Sequence, residues 1–330
     1  MAKLKLKIAC QGYDWAKPIL DGSIQPHGIE IESESLFPAV TFDRVLGKGE
    51  FDAAELGLTY YVGTMARPDR PFVAIPVFPV RAFRLSSIFV KADGPIKTPK
   101  DLSGKKLGEA FTYAHDAGTW ARGILRDYYG VPLFDHAAYF VGGVGHPVAP
   151  WDWMPFQPPA RAKVTHIGRE RTLDAMLEVG EIDALFSAII PPGVATGKVR
   201  RLFDDAEAAE RAYFAKSRSF PIMHTFVIRT EVYRKNPWVA RALYDAFKLA
   251  KARVMEREKP QEYIPLTRML PLYNEHQREI VNLMGQDYWP YGVAANRPTL
   301  DAFLGYHHDL GASQRRWKPE ELFLPETLND

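Results

Sequence analysis

Two arginines stand three residues apart in the stretch "PVRAFRLSS", Arg81 and Arg84. A guanidinium is a planar fork that pairs a carboxylate through two parallel N–H bonds. The pair therefore suits an anionic ligand, although an arginine paired to a nearby acid would look the same. His224 closes the stretch "FPIMH". Imidazole titrates near neutral pH and suits proton delivery; the plainer role is a hydrogen bond that holds structure. Glu55 ends the strand-like run "FDAAELGL" and either takes up a proton or caps the next helix. Thr112, Tyr113, Thr119 and Trp120 flank the start of the helical run "DAGTWARGILRDYYG". A helix N-terminus offers free N–H groups and partial positive charge to a carboxylate, and Trp120 can stack on a ring. The alternative there is capping and core packing. Tyr13 comes after the first strand-like run, and Arg169 and Arg171 precede a helix, as further cations for a ligand or as solvated charges.

Other chemistries find no support. His307 and His308 are adjacent, and adjacent helix positions do not share a face. His115, His146 and His166 scatter over loops without a zinc-like spacing. Cys10 is the single cysteine, so neither an internal disulfide nor a CxxC knuckle can form. There is no GxGxxG after a strand, no GxxxxGK[ST] and no GxSxG. No metal and no cofactor are expected. A net charge of +2 argues against a nucleic-acid partner. No run approaches the roughly 18 apolar residues of a membrane span. The start "MAKLKLKIAC" lacks an apolar core and a small-residue cleavage site, which points to a cytoplasmic protein.

Elements must hold these side chains in place. The 330 residues exceed one ordinary core, so two lobes are expected. Lys3–Cys10 and Gly28–Leu36 alternate as strands, "FDRVLGKG" reads as a short helix, and Phe51–Leu58 reads as the next strand. Phe72–Val80, Leu85–Asp93 and Phe220–Arg229 are also β-rich, and Gly130 stops the helix that begins at Asp116. A Pro-, Gly- and Trp-rich loop runs from Gly142 to about Arg161, and beyond Pro237 the chain reads as almost wholly helical. Strands alternating with helices imply an α/β fold. One phrase occurs twice, "GEFDA" at Gly49–Ala53 and "GEIDA" at Gly180–Ala184. Each copy comes after an amphipathic run and precedes an apolar one, so it marks a structural repeat in which Asp52 and Asp183 are turn residues.

The pattern resembles the type II periplasmic-binding-protein fold. More narrowly, the chain resembles the 4,5-dihydroxyphthalate decarboxylase family. The stretches that carry this are "LKLKIACQGYD", "FDAAELGL", "PVFPVRAFRLSSIFV", "TWARGILRDYYGV", "RTLDAMLEVGEIDAL", "FPIMH", "MGQDYWPYGVAANR" and "AFLGYHHDLGAS". They spread over nearly the whole length; Val144–Arg161 and "GRERTL" depart from the family pattern. The resemblance implies a two-lobed fold, each lobe a mixed sheet flanked by helices, with a mostly helical C-terminus. Lobe I would be 1–83 with 221–330, lobe II 84–220, and Pro79–Ser87 and Lys216–His224 would form the hinge. It implies non-oxidative loss of CO2 from a hydroxylated aromatic diacid in aromatic catabolism, with no organic cofactor. The catalytic group would be His224, giving a proton to the ring carbon, Glu55, accepting a phenol proton, and Arg81, pairing a substrate carboxylate. Arg84, Tyr13, Thr112, Tyr113, Thr119, Trp120, Arg169 and Arg171 would bind substrate. The competing function on such a fold is a solute-binding protein for aromatic carboxylate uptake. The aromatic stretch "QDYWPYGV" would pack the C-terminal helices, close the cleft or join subunits in a homo-oligomer.

Overall fold

The structure, a computed structural model, describes residues 3–259 and 270–328. Eleven strands make two sheets. They are β1 (Leu4–Ala9), β2 (Ile29–Glu34), β3 (Ala53–Gly57), β4 (Phe72–Ile75), β5 (Ile88–Lys91), β6 (Lys106–Ala110), β7 (Ala138–Gly142), β8 (Val164–His166), β9 (Ala184–Phe186), β10 (Val199–Arg201) and β11 (His224–Arg229). The first sheet has the order β2-β1-β3-β11-β4, and the second β10-β5-β9-β6-β7-β8. The helices are α1 (Lys17–Leu20), α2 (Pro38–Phe42), α3 (Leu58–Thr64), α4 (Asp116–Tyr129), α5 (Leu173–Glu178), α6 (Ala206–Ser217), α7 (Thr230–Lys235), α8 (Trp238–Arg257), α9 (Tyr273–Met284), α10 (Arg297–Asp309) and α11 (Pro319–Leu322).

The alternation of "LKLKIA" reads out directly: Leu6 and Ile8 are buried while Lys5 points to solvent. β3 lies centrally, with parallel β1 on one side and antiparallel β11 on the other, and all five of its residues are buried. A strand covered on both faces needs a continuous apolar run. "AAELG" obeys this except at Glu55, and that exception locates the site. α4 ends at Gly130, whose φ of 71° is the left-handed stop that glycine adopts without a Cβ clash.

The repeated phrase performs one task twice. Asp52 accepts a hydrogen bond from the Lys7 N–H at 2.9 Å, and its own N–H donates to the Lys7 carbonyl at 2.9 Å. Asp183 does the same to Lys106, at 2.8 Å in both directions. Each Asp thus docks the entry of a strand onto its parallel neighbour, and Gly49 and Gly180 supply the positive φ of the turn before it. We expect Asp52→Ala to lower the unfolding free energy by about 1–2 kcal/mol, the cost of an unpaired peptide N–H, with kcat unchanged. Chemical denaturation beside a rate assay checks this, and an unchanged denaturation midpoint would refute it.

β11 comes after every strand of the second sheet, yet it pairs with β3 and β4 of the first. The chain therefore crosses between sheets twice. The two crossings bind each other: Arg81 and Ile222 form an antiparallel bridge, Met223 N–H donates to the Val80 carbonyl at 2.9 Å, and Ala82 N–H donates to the Pro221 carbonyl at 3.1 Å.

Three expectations need correction. Of the run Phe72–Val80 only Phe72–Ile75 is strand, because the chain beyond it turns into the crossing. "FDRVLGKG" is not a simple α-helix, since α2 runs into a π-helical turn over Asp43–Gly47. The end of the chain is not wholly helical. Beyond α11, Phe323 makes a parallel bridge to Ala74, and Leu324 N–H donates to the Ala74 carbonyl at 3.0 Å. This covers the edge of β4. Residues 260–269, part of the stretch read as helical, lie outside the described residues. The aromatic stretch packs inward on the first sheet's side: Trp289 Nε1–H donates to the Phe78 carbonyl at 2.9 Å, and Tyr291 stands edge-on to Phe78.

Candidate active site

Glu55, Gly57 and His224 share one face of the first sheet, because Glu55 and Gly57 are two apart on β3 and His224 pairs with Gly57 across the strands. His224 Nδ1 lies 2.5 Å from Glu55 Oε1. Glu55 is fully buried. The Tyr13 hydroxyl donates to Glu55 Oε1 at 2.8 Å, the Gln11 N–H donates to Oε2 at 3.0 Å, and the Cys10 thiol reaches Oε2 at 3.5 Å. Burial and the Glu55 charge push the Tyr13 phenol well above its ordinary value, so it stays a donor. With four donors around one carboxylate, Glu55 has no free lone pair for a substrate phenol. It meets the imidazole at Nδ1 instead, so Nε2 is the ring nitrogen left over. Nε2 makes no hydrogen bond among the described residues, and the ring stands edge-on to Phe42 at 5.1 Å.

Arg84 is a buried cation without a carboxylate partner among the described residues. It is 9% exposed; Nε donates to the Met223 sulfur at 3.0 Å, and one terminal nitrogen reaches Ser87 Oγ at 3.4 Å. Both partners are neutral and weak, and no carboxylate among the described residues bonds it. Burial pushes its pKa down to about 10, which leaves it charged at neutral pH. Arg81, three residues earlier, is already engaged. It donates to the Phe220 carbonyl at 3.1 Å, to the Pro290 carbonyl and to Asn296 Oδ1, and it lies over Phe78 and Phe220. It fastens the crossing to the C-terminal segment, so its expected place on a substrate carboxylate is withdrawn.

The second sheet's side contributes the loop before α4. Thr59 Oγ1 donates to the Ala114 carbonyl, Thr59 N–H donates to Asp116 Oδ1, each at 2.7 Å, and the Tyr60 hydroxyl meets Thr112 Oγ1 at 2.9 Å. Thr112 thus sits at the border of the cluster. Tyr113 and Trp120 do not join it, and Thr119 meets it only through the Ala114 carbonyl. The Tyr113 hydroxyl donates to the Leu310 carbonyl, Thr119 Oγ1 to the Ala114 carbonyl, and Trp120 Nε1–H to the Ile222 carbonyl. Trp120 has no exposed surface and packs on Phe303 and Tyr306 of α10, so it is core. Arg171 pairs with Glu181 at the surface, and Arg169 is exposed after β8; neither reaches the cluster. His307 is buried, bonds the Thr59 carbonyl at 3.1 Å and has its pKa pushed down to about 3 by burial, a structural histidine.

Asp116, Phe42, Tyr60 and the loop tryptophans were not foreseen. Asp116 opens an amphipathic helix and reads from sequence as an ordinary first-turn acid. Trp151 stacks on Phe111 at 5.8 Å and on Trp153 at 4.7 Å; Trp153 stands edge-on to Tyr60 at 5.4 Å and donates to Asp43 Oδ1 at 2.9 Å. The loop after β7 therefore straps the second sheet's side to the π-helical turn after α2 and to α3 of the first. Nothing local in "APWDWMPF" could announce its distant partners.

Two mixed sheets flanked by helices and linked by paired crossings make a periplasmic-binding-protein fold. Solved structures agree on the fold. A periplasmic sulfonate-binding protein SsuA from Methylobacillus flagellatus is 15% identical, with a TM-score of 0.54 over 99% of this chain and 93% of that one. The periplasmic aliphatic sulphonate binding protein SsuA from Escherichia coli is 16% identical, with a TM-score of 0.52 over 99% and 94%. A mutant of DSZB in complex with biphenyl-2-sulfinic acid is 15% identical, with a TM-score of 0.51 over 99% and 98%. No family model matches the chain. Two relatives are decisive. The 4,5-dihydroxyphthalate decarboxylase of Comamonas testosteroni is 35% identical over 330 residues, 99% of this chain and 98% of that protein. The enzyme of the same name from Pseudomonas putida is 31% identical over 216 residues, 65% of this chain and 83% of that protein. The chain belongs to the 4,5-dihydroxyphthalate decarboxylase family.

Proposed function

We propose that the chain is a carboxy-lyase that removes one carboxylate of a hydroxylated phthalate as CO2, converting 4,5-dihydroxyphthalate to protocatechuate without oxidation. The observation that carries the reading is the buried Glu55–His224 pair with a free Nε2, beside a buried arginine that has no carboxylate partner among the described residues. Arg84 takes a substrate carboxylate as a fork. The ring hydroxyl para to the departing group makes the ipso carbon electron-rich. His224 Nε2–H gives its proton to that carbon, so a C–H bond forms as the N–H bond breaks. The C–CO2 bond then breaks, its electron pair restores aromaticity, and CO2 leaves. Glu55 and Tyr13 keep the imidazole oriented throughout. Water returns the proton to His224 before the next turnover.

In this reading the chain divides at the paired crossings into 1–83 with 221–330 and 84–220, and substrate lies between the two parts. Among the described residues no helix is long and apolar enough to cross a membrane. The cytoplasmic placement expected from the sequence belongs to this proposal.

Purified protein incubated with carboxyl-labelled 4,5-dihydroxyphthalate should release labelled CO2 and leave protocatechuate in equal amount. Tight binding without CO2 release would replace this reading with that of a solute-binding protein.

A further inference from the structure

Asp116 belongs to neither sheet's expected machinery, yet it lies at the point where both meet. It opens α4 on the second sheet's side and is 4% exposed. Its Oδ1 accepts the Thr59 N–H of α3, on the first sheet's side, at 2.7 Å. Its Oδ2 fills the space that Gly57 leaves empty: a Cβ on Gly57 would stand 2.6 Å from that oxygen. Gly57 is the cross-strand partner of His224. A missing side chain on one lobe thus admits a carboxylate from the other, on the face that carries Glu55 and His224. The loop that delivers it is held in costly backbone, since Phe111 and Ala114 adopt φ of 65° and 56° without being glycine. Ala114 is fixed there by Thr59 Oγ1 and Thr119 Oγ1, which both donate to its carbonyl.

We propose that Asp116 is a positioning residue for the proton transfer: carried across the cleft, it stabilises the charged, donor form of the His224 imidazole, and it does so only while the two lobes are docked at Thr59. This rests on the decarboxylase reading above. The groups facing Asp116 are His224 from β11, the Thr59 N–H and Tyr60 from α3, Arg84 from the crossing, and His115 beside it. Behind them stand Glu55 on His224 and Glu109 on His115, the latter at 2.7 Å. Burial raises the Asp116 carboxyl to about 6, against the opposing pull of His224, Thr59, His115 and Arg84. Near neutral pH it is therefore an anion without a salt-bridge partner of its own among the described residues. An imidazolium with a second carboxylate nearby is the neutralising arrangement. If the lobes part, the Thr59 bond and this contact are lost together, so an open cleft holds His224 less firmly in its donor form. That restricts proton delivery to the closed, substrate-bound state.

Asp116→Asn is the test, because the amide oxygen can still accept from Thr59 and the volume is conserved. The expected result is a fall of about 10–100-fold in kcat/KM near neutral pH, the effect of removing one nearby opposite charge. The advantage of the wild type over the variant should shrink on the acid side near pH 6, as Asp116 protonates and its charge is lost. The His224 imidazole, followed by NMR without substrate, should titrate at lower pH in the variant. The melting temperature at pH 8 should stay level or rise. A carboxyl raised by burial contributes stability below its unfolded pKa, and that contribution is lost as pH rises through about 6. A variant with the wild-type profile would overturn the proposal. So would a variant that loses rate and melting temperature together while His224 titrates unchanged, since Asp116 would then be only a strap. The titration needs no turnover. If the wild type released no CO2, the decarboxylase reading would fail, and the titration would still decide the Asp116–His224 coupling.

Discussion

His224→Gln should abolish most turnover while leaving the protein folded and the substrate bound. The expected loss in kcat is about 10²–10⁴-fold, the usual worth of a positioned general acid. Glutamine cannot deliver a proton to carbon at neutral pH, but its amide N–H can still reach Glu55 and fill the space under Phe42. The melting temperature should therefore shift little, and the affinity for unreactive phthalate should stay within about threefold. Glu55→Gln should act through the same atom. The amide would turn one oxygen into a donor group that faces either the Tyr13 hydroxyl or the Gln11 N–H, and imidazole orientation would be lost with kcat. A near-normal rate in His224→Gln would move the acid elsewhere, with Asp116 the next buried carboxyl on that face. A collapse of melting temperature instead would make His224 a structural residue of β11.

Fold and site were not equally legible. Alternation in "LKLKIA", the Gly130 stop and the doubled "GEFDA" phrase are local signals, and each became the element it announced. Glu55 was visible as the one charge in a strand that buries every residue. His224 was visible through its place at the second crossing. Long-range commitments were hidden. Arg81 and Arg84 look alike in "RAFR", and the feature that separates them is the Pro290–Asn296 segment more than 200 residues away. Trp120 reads as a stacking platform until α10 closes over it. Asp116 reads as a helix-opening acid until Gly57 is seen to make room for it. Periodicity encodes which face of an element is apolar, and it carries no record of which distant element covers that face.

The twin arginines give the other large effect, and they should answer in opposite ways. Arg84→Met keeps apolar volume and removes the charge. Phthalate should then bind about 10–150-fold more weakly, the scale of a charge-assisted, fork-like pairing with a carboxylate. Stability should hold or improve. A guanidinium pushed down to about 10 by burial is less at ease charged in the folded protein than in the unfolded chain. That penalty is present at every pH below about 10 and fades as pH rises from there toward the unfolded value. Its only hydrogen-bond partners among the described residues are a thioether and a hydroxyl, so little favourable is lost with it. Arg81→Met removes donors from two carbonyls and the Asn296 amide, together with the stack between Phe78 and Phe220. It should lower the melting temperature, while the protein that stays folded binds phthalate with near-normal affinity. Titration calorimetry with phthalate, beside thermal unfolding, reads both quantities. Binding by Arg84→Met within twofold of the wild type would take the substrate cation away from position 84.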